Sequence, residues 1–230
     1  MQGELERALA RICDAPVRVM GAGRTDAGVH ATGQAIHFRS ATGLDEASLG
    51  RGVNALLPPD IAVSALGAAA EDFHARFSAT GRTYEYRIRS APHRDPLERH
   101  REFWLPDPLE DEALKLGAET LVGRHDFTAF ATGEGGLREV RRAAWRREGE
   151  LLRFEIAADG FLRGMVRAIV GTMIWIGRGR LRPADAARIL ESRDRRQAGP
   201  SAPAQGLCLI GVDYGVRERR RDEDDDDTSE

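Results

Sequence analysis

Between Gly21 and Ala31 the chain reads GAGRTDAGVHA, placing Arg24, Thr25, Asp26 and His30 among three glycines. Glycine admits backbone angles closed to other residues, so such a loop can present a side chain on a tight turn. An ionised carboxylate held there can attack a substrate covalently. The same residues also suit a structural loop, in which the aspartate accepts backbone hydrogen bonds or caps a helix. On its own the loop leaves both readings open. His30 and His125 read as structural or hydrogen-bonded loop residues, since neither has a metal or triad partner at a recognisable spacing. Cys13 and Cys208 form no CxxC pair and no metal-ligand spacing. They read as ordinary thiols of a reducing compartment, and no metal is expected.

The framework that must position this loop is ordinary in composition. With 230 residues, 41% of them apolar and 31% charged, the chain can bury a core as one large domain or two small ones. The longest apolar stretch, Phe161 to Gly177, is interrupted by Arg163 and Arg167, so no membrane span is expected. The amino terminus MQGELERAL carries two glutamates where a signal peptide needs basic and then apolar residues, which points to the cytoplasm. The net charge of -3 averages two unlike parts. Residues 217–230, RERRRDEDDDDTSE, hold four arginines and eight acids and are expected to form a disordered acidic tail. The remainder carries 30 basic and 29 acidic residues. Its basic residues are arginines apart from Lys115, which permits RNA binding through bidentate phosphate contacts but is equally the signature of a GC-rich coding sequence.

Periodicity predicts helices over Glu4–Cys13, Asp45–Leu57, Leu109–Leu121, Phe161–Ile176 and Ala184–Glu191. It predicts strands over Val17–Met20, Gln34–Phe38, Ile61–Ala65 (weakly), Arg82–Arg89, Val140–Arg147, Leu151–Ala157 and Leu207–Tyr214. In Arg82–Arg89, Tyr84, Tyr86 and Ile88 alternate with Thr83, Glu85 and Arg87. Strands and helices interleave in two halves, an α/β or α+β fold with a boundary between residues 91 and 108.

GRTDAGVHA at Gly23–Ala31 resembles the nucleophile motif of the TruA-type tRNA pseudouridine synthases. Four further blocks resemble that family in the same order: FHARFSATGRTYEYRI at Phe73–Ile88, HDFTAF at His125–Phe130, GFLRGMVRAIVG at Gly160–Gly171 and APAQGLCLIGVDY at Ala202–Tyr214. The resemblance runs from Gln2 to Tyr214. It implies two ferredoxin-like or RRM-like halves, 1–95 with the catalytic loop and 96–216, whose mixed antiparallel sheets join around an active-site cleft. It assigns Asp26 as nucleophile, Arg167 as its partner, Tyr84 as the platform stacking on the target uracil, and Arg24 as the residue that displaces or holds the flipped nucleotide. The implied reaction turns uridine into pseudouridine at positions 38 to 40 of the tRNA anticodon stem-loop, in a homodimer, with no cofactor. Attack on the ribose C1′, attack on the uracil ring and abstraction of a ribose proton all remain compatible with these residues.

The residue types suit that chemistry. A base in structured RNA must leave its stack before its sugar bond can be reached, and an aromatic platform offsets about 1–3 kcal/mol of the lost stacking. An adjacent arginine favours a charged carboxylate, while burial opposes it, so a closed, water-excluding site is expected. Taken alone, Tyr84 on an alternating strand could be ordinary core, and Arg167 could face a structural carboxylate. Arg163, four residues before Arg167, would share its helical face. Arg76 and Arg82 lie within a family block and are candidate substrate contacts. Arg138, Arg141 and Arg142 rest on charge density alone, for which a solvated face is an equal reading.

The chain departs from the family at its start. Members carry a strand and a loop resembling YDG..F.GWQ ahead of a VQ-type junction, whereas this sequence opens at the junction, Met1-Gln2-Gly3-Glu4. The expectation is a coding start further upstream, and, for the chain as it stands, unpaired neighbouring strands with apolar surface exposed. A non-catalytic RNA-binding protein of the same fold is the alternative expectation.

Overall fold

A computed structural model describes residues 1–215; the expected acidic tail lies outside the described residues. The N-terminal part opens with α1 (Gln2–Cys13), ended by Asp14 in the left-handed conformation. Its stripe of Leu5, Ala8 and Leu9 is buried against α2 (Glu46–Leu56). Asp45 caps α2: its carboxylate accepts from the backbone N–H of Ser48 at 2.8 Å, and Pro58 and Pro59 follow the helix. Three strands here are only two residues long: β1 (Met20–Gly21), β2 (His30–Ala31) and β3 (Ile36–His37). β1 pairs with β3, and β2 runs parallel to a strand of the main sheet. Val17 and Val19 are buried with Leu49 and Val53, while Met20 stays 45% exposed.

The weak strand expected at Ile61–Ala65 does not form. Val63 instead pairs with one side chain: its N–H donates to Asn54 Oδ1 (2.7 Å) and its carbonyl accepts from Asn54 Nδ2 (2.8 Å). The amide imitates a strand neighbour and satisfies this stretch locally.

The main sheet is built on β4 (Gly81–Ser90), β5 (Phe103–Leu105), β6 (Gly123–Asp126), β7 (Leu137–Glu148), β8 (Leu151–Ala158) and β9 (Leu207–Asp213), in the order β2-β9-β4-β8-β7-β6. β4 is antiparallel to β8 along one side. On the other it pairs with β9 over Gly81–Tyr86 and with β5, in parallel, over Ile88–Ser90. Alternate residues of β8, Leu152, Phe154, Ile156 and Ala158, face inward, as a half-buried strand requires. α3 (Asp111–Glu119), α4 (Met165–Gly177) and α5 (Asp185–Ser192) contribute Leu114, Ile169, Met173 and Ile189 to the same core.

Two expectations shift at α4. The helix starts at Met165 rather than Phe161, because Gly164 takes φ 72 and Arg163 turns its carbonyl to Thr132, whose N–H donates to it at 2.8 Å. Arg163 therefore precedes the helix and does not share a helical face with Arg167. The short strands β2, β5 and β6 carry too few residues to show a period of two.

Glu85 sits in the middle of β4, only 8% exposed. Burial raises its pKa, but hydrogen bonds and charge from Arg87 (2.6 Å) and Arg153 (3.1 Å) outweigh it and hold the carboxyl below its ordinary 4.5. The stabilisation is therefore present above pH 4.5 and lost as pH falls through the lower, folded value. Glu85→Gln is expected to cost about 1–3 kcal/mol at pH 7. It should also flatten the acid limb of stability in urea titrations between pH 3 and 7.

Candidate functional site

The glycine loop leaves β1 and returns at β2, and its backbone is tied at several points. Ala22 N–H donates to Ala35 O (2.8 Å), and Gln34 Nε2 donates to Gly23 O (2.9 Å). Of the loop's glycines only Gly28 has a left-handed angle, φ 82, in the turn where Val29 N–H donates to Asp26 O. Beyond β2, the N–H groups of Thr32 and Gly33 both donate to Leu209 O in β9. A side chain at Gly33 would meet Ile210 O at 2.3 Å, so glycine is what permits this approach.

Across the sheet from that contact, Thr83 of β4 faces Gly211 and Tyr84 faces Leu209, leaving Ile210 as an extra residue in a β-bulge. Bulges re-aim side chains next to functional sites. The Tyr84 ring meets Phe161 edge-on at 5.1 Å and 89°. Its hydroxyl is pushed above the ordinary tyrosine range, first by desolvation and further by the charges of Asp26 and Cys208, with Arg82 pulling the other way.

Arg167 enters from the first turn of α4. Its Nη1 donates to Asp26 Oδ2 at 3.1 Å, joining residues 141 positions apart. The remaining bonds of Arg167 fix its direction. Nε donates to Ala202 O (2.7 Å), and Ala202 N–H donates to the Arg167 carbonyl (2.9 Å). The loop that bears Ala202 is itself clamped. Gly199 N–H donates to Thr172 Oγ1 (2.8 Å), and Tyr86 Oη donates to Pro203 O (2.7 Å). A Cβ at Gly171 would lie 1.7 Å from Pro200 O, so α4 and this loop touch backbone to backbone. The Asp26 side chain is 41% exposed and that of Arg167 23%. The carboxylate is thus partly open to solvent, where a closed, water-excluding site was expected.

The remaining arginines separate by what they bond. Arg82 is spent on backbone: Nη1 donates to Ala79 O and Asp159 O, and Nη2 to Ala22 O and Arg76 O, at 2.7–3.2 Å. It clips the glycine loop to the 76–79 segment. Arg141 donates to Thr80 O, and Arg142 pairs with Glu155 at 3.1 Å. Arg24 and Arg76 are exposed, and Arg24 bonds to no group among the described residues. His30 bonds through Nε2 to the His100 carbonyl, and His125 bonds to Val122 O, both in structural roles. Phe161 and Ala202 are site residues that sequence reasoning did not single out. Phe161 acts through its ring against Tyr84, and Ala202 only through its backbone, for which no residue type is a signal.

Residues 118–215 match a family model described as tRNA pseudouridine synthase. The chain is 44% identical over 219 residues to the tRNA pseudouridine synthase A of Geobacillus kaustophilus, covering 93% of this chain and 85% of that protein. It is 44% identical to that of Chloroflexus aurantiacus, with 93% and 80% covered. It is 42% identical to that of Paramagnetospirillum magneticum, with 94% and 86% covered. The chain belongs to the tRNA pseudouridine synthase A family. Within the span matched to the synthase model lie Arg167 and the loop that clamps it, while Asp26 and Tyr84 lie before it. Among the described residues of this synthase-family chain, no helix is long and apolar enough to cross a membrane.

Gly171→Ala is expected to drive the 199–202 loop off α4, costing about 1–3 kcal/mol of stability. Hydrogen exchange should rise at the Ala202 amide, which is bonded to Arg167, while amides in the centre of β8 stay protected.

Proposed function

We propose that this chain converts uridine to pseudouridine in tRNA, with Asp26 as the attacking carboxylate. The observation that carries the reading is the contact of Arg167 with Asp26, set beside Tyr84 in a chain of the tRNA pseudouridine synthase A family. Arg167 engages Oδ2, and Oδ1 bonds to no group among the described residues, so one oxygen is held and the other is free to react. In the isomerisation the bond from N1 of uracil to C1′ breaks, and the bond from C5 to C1′ forms. The proton leaves C5 and N1 gains one, so no atom is added and no redox change occurs. Tyr84, braced by Phe161, is the stacking surface for the base once it has left the RNA helix. Because Asp26 is partly open, the RNA itself completes the exclusion of water over the carboxylate.

The finer reading rests on the family resemblance. The substrate uridines are positions 38 to 40 on the 3′ side of the anticodon stem-loop, and Arg24 helps to displace or hold the flipped nucleotide. The working form is a cytoplasmic homodimer whose two subunits the tRNA bridges. Arg76 contacts the substrate backbone, whereas the four carbonyl bonds of Arg82 favour a role in holding the loop. The division into an N-terminal half ending near residue 95 and a C-terminal half from 96 rests on the resemblance alone, for Tyr86 and Ile88 of β4 are buried with residues 105–207, apart from the cluster within residues 5–66. The non-catalytic alternative finds no support in the site, since carboxylate and guanidinium stand together.

Incubation with unmodified tRNA followed by pseudouridine mapping should place product in the anticodon arm. Asp26→Asn is expected to lower kcat by at least about a thousandfold, as loss of a covalent nucleophile does. Product formed by that variant at the wild-type rate would refute the assignment. Tyr84→Ala should lower kcat/KM by about 5- to 150-fold, the equivalent of about 1–3 kcal/mol of stacking. Because the Tyr84 hydroxyl is raised, its contribution to stability is constant below pH 10 and is lost as pH rises through its folded value. The pH profile of kcat should therefore show no step from Tyr84 below pH 10, and spectrophotometric titration of Tyr84→Phe against wild type checks this.

A further inference from the structure

Phe77 has no role in the chemistry above, yet its ring is 74% exposed. The ring is also held by its neighbours on a bonded segment. It stacks on His74 with centroids 4.4 Å apart and 33° between planes, and His74 lies 4.6 Å from His37. Backbone groups lock this pile. His74 Nδ1 accepts from the N–H groups of Arg76 (3.1 Å) and Phe77 (3.3 Å), and His37 Nδ1 accepts from the N–H of Ala75 (3.0 Å). The Arg76 guanidinium carbon sits 5.6 Å from the Phe77 centroid. One nitrogen of Arg82, Nη2, holds both the Arg76 carbonyl and the Ala22 carbonyl. The exposed ring is therefore fixed to the catalytic loop four residues before Asp26 and two before the exposed Arg24.

We propose that Phe77 is a stacking subsite for an unpaired base of the RNA, beside the uridine that enters the cleft, with Arg76 meeting the adjoining phosphate. The inference rests on the function proposed above and names one of its substrate contacts. A phenyl ring presents a π-face that any base can use, and Arg24 and Arg76, which have no ion-pair partner among the described residues, favour a polyanion. The pile of His37 and His74 keeps the ring rigid, so little side-chain freedom is lost on binding.

The test measures tRNA binding and pseudouridine formation for wild type, Phe77→Ala, Phe77→Leu and Phe77→Trp, with thermal melts. The Ala and Leu variants are expected to weaken tRNA binding and raise KM by about tenfold, with a smaller change in kcat, while Trp stays near wild type. All four melts should coincide, because the ring is exposed. Unchanged binding by Phe77→Ala overturns the subsite. Leu binding as well as Phe overturns it too, since apolar bulk would then suffice. A lowered melting temperature in Ala and Leu that accounts for the loss of binding assigns the ring to structure instead. A wild type that binds tRNA in a Phe77-dependent way but makes no product refutes the proposed function and leaves the subsite standing. Product formation with no dependence on Phe77 does the reverse.

Discussion

The site depends on a reciprocal pair of hydrogen bonds between Arg167 and Ala202. One residue of a helix and one of a loop exchange a main-chain bond and a side-chain bond, and this leaves Nη1 of the guanidinium pointing at Asp26. A free arginine samples many rotamers, and fixing one costs about 2 kcal/mol of side-chain entropy. Here that cost is met during folding, by a loop already held through Thr172, Tyr86 and the bare backbone of Gly171. An ion pair as exposed as this one adds at most about 1 kcal/mol to stability. Its value lies in placement, for it determines which carboxylate oxygen is held.

The glycine loop and the sheet solve the same problem from the other side. β9 connects them: it receives Thr32 and Gly33 at Leu209, lies parallel to β2, pairs Leu209 with Tyr84 and bulges at Ile210. The strand that pairs with the tyrosine is thus also the strand that anchors the loop of the aspartate, and the end of the loop before β9 carries Ala202. Asp26, Tyr84 and Arg167, from three distant stretches of sequence, come together because each stretch is bonded to the segment 202–211. Small residues make this possible, since Gly33, Gly171 and Gly199 each stand where a Cβ would collide with backbone.

Long periodic segments were legible in the sequence. α1, α2, β4, β7, β8 and β9 lie within a few residues of where alternation and capping place them, because each buries a regular face. The start of α4 was not legible, since its boundary is set by the left-handed Gly164 and by Thr132, thirty-two residues earlier in the chain. Asp26 was legible as a candidate but not as a decided one, and Arg167 and Tyr84 only through the family resemblance, because their pairing spans most of the chain. Nothing in the local sequence distinguishes an arginine that will meet four carbonyls, Arg82, from one left exposed, Arg76, six residues before it.

That distinction governs how the arginine-rich composition should be read. A guanidinium carries five N–H donors in a fixed fork, so it can serve either as a cross-link between backbone segments or as a contact for an external anion. It can rarely do both at full strength. Arg82, Arg141, Arg142 and Arg167 have their donors directed inward or paired with carboxylates. Among the described residues Arg24 and Arg76 do not, and Arg82 ties their two segments together through the carbonyls of Ala22 and Arg76. Removing an inward arginine would disturb the loops before it altered the affinity for phosphate. Removing an outward one would act chiefly on RNA affinity and its dependence on salt. Arg24 and Arg76 are thus two outward guanidiniums near the candidate site, while Arg82 and Arg167 hold the loops around it.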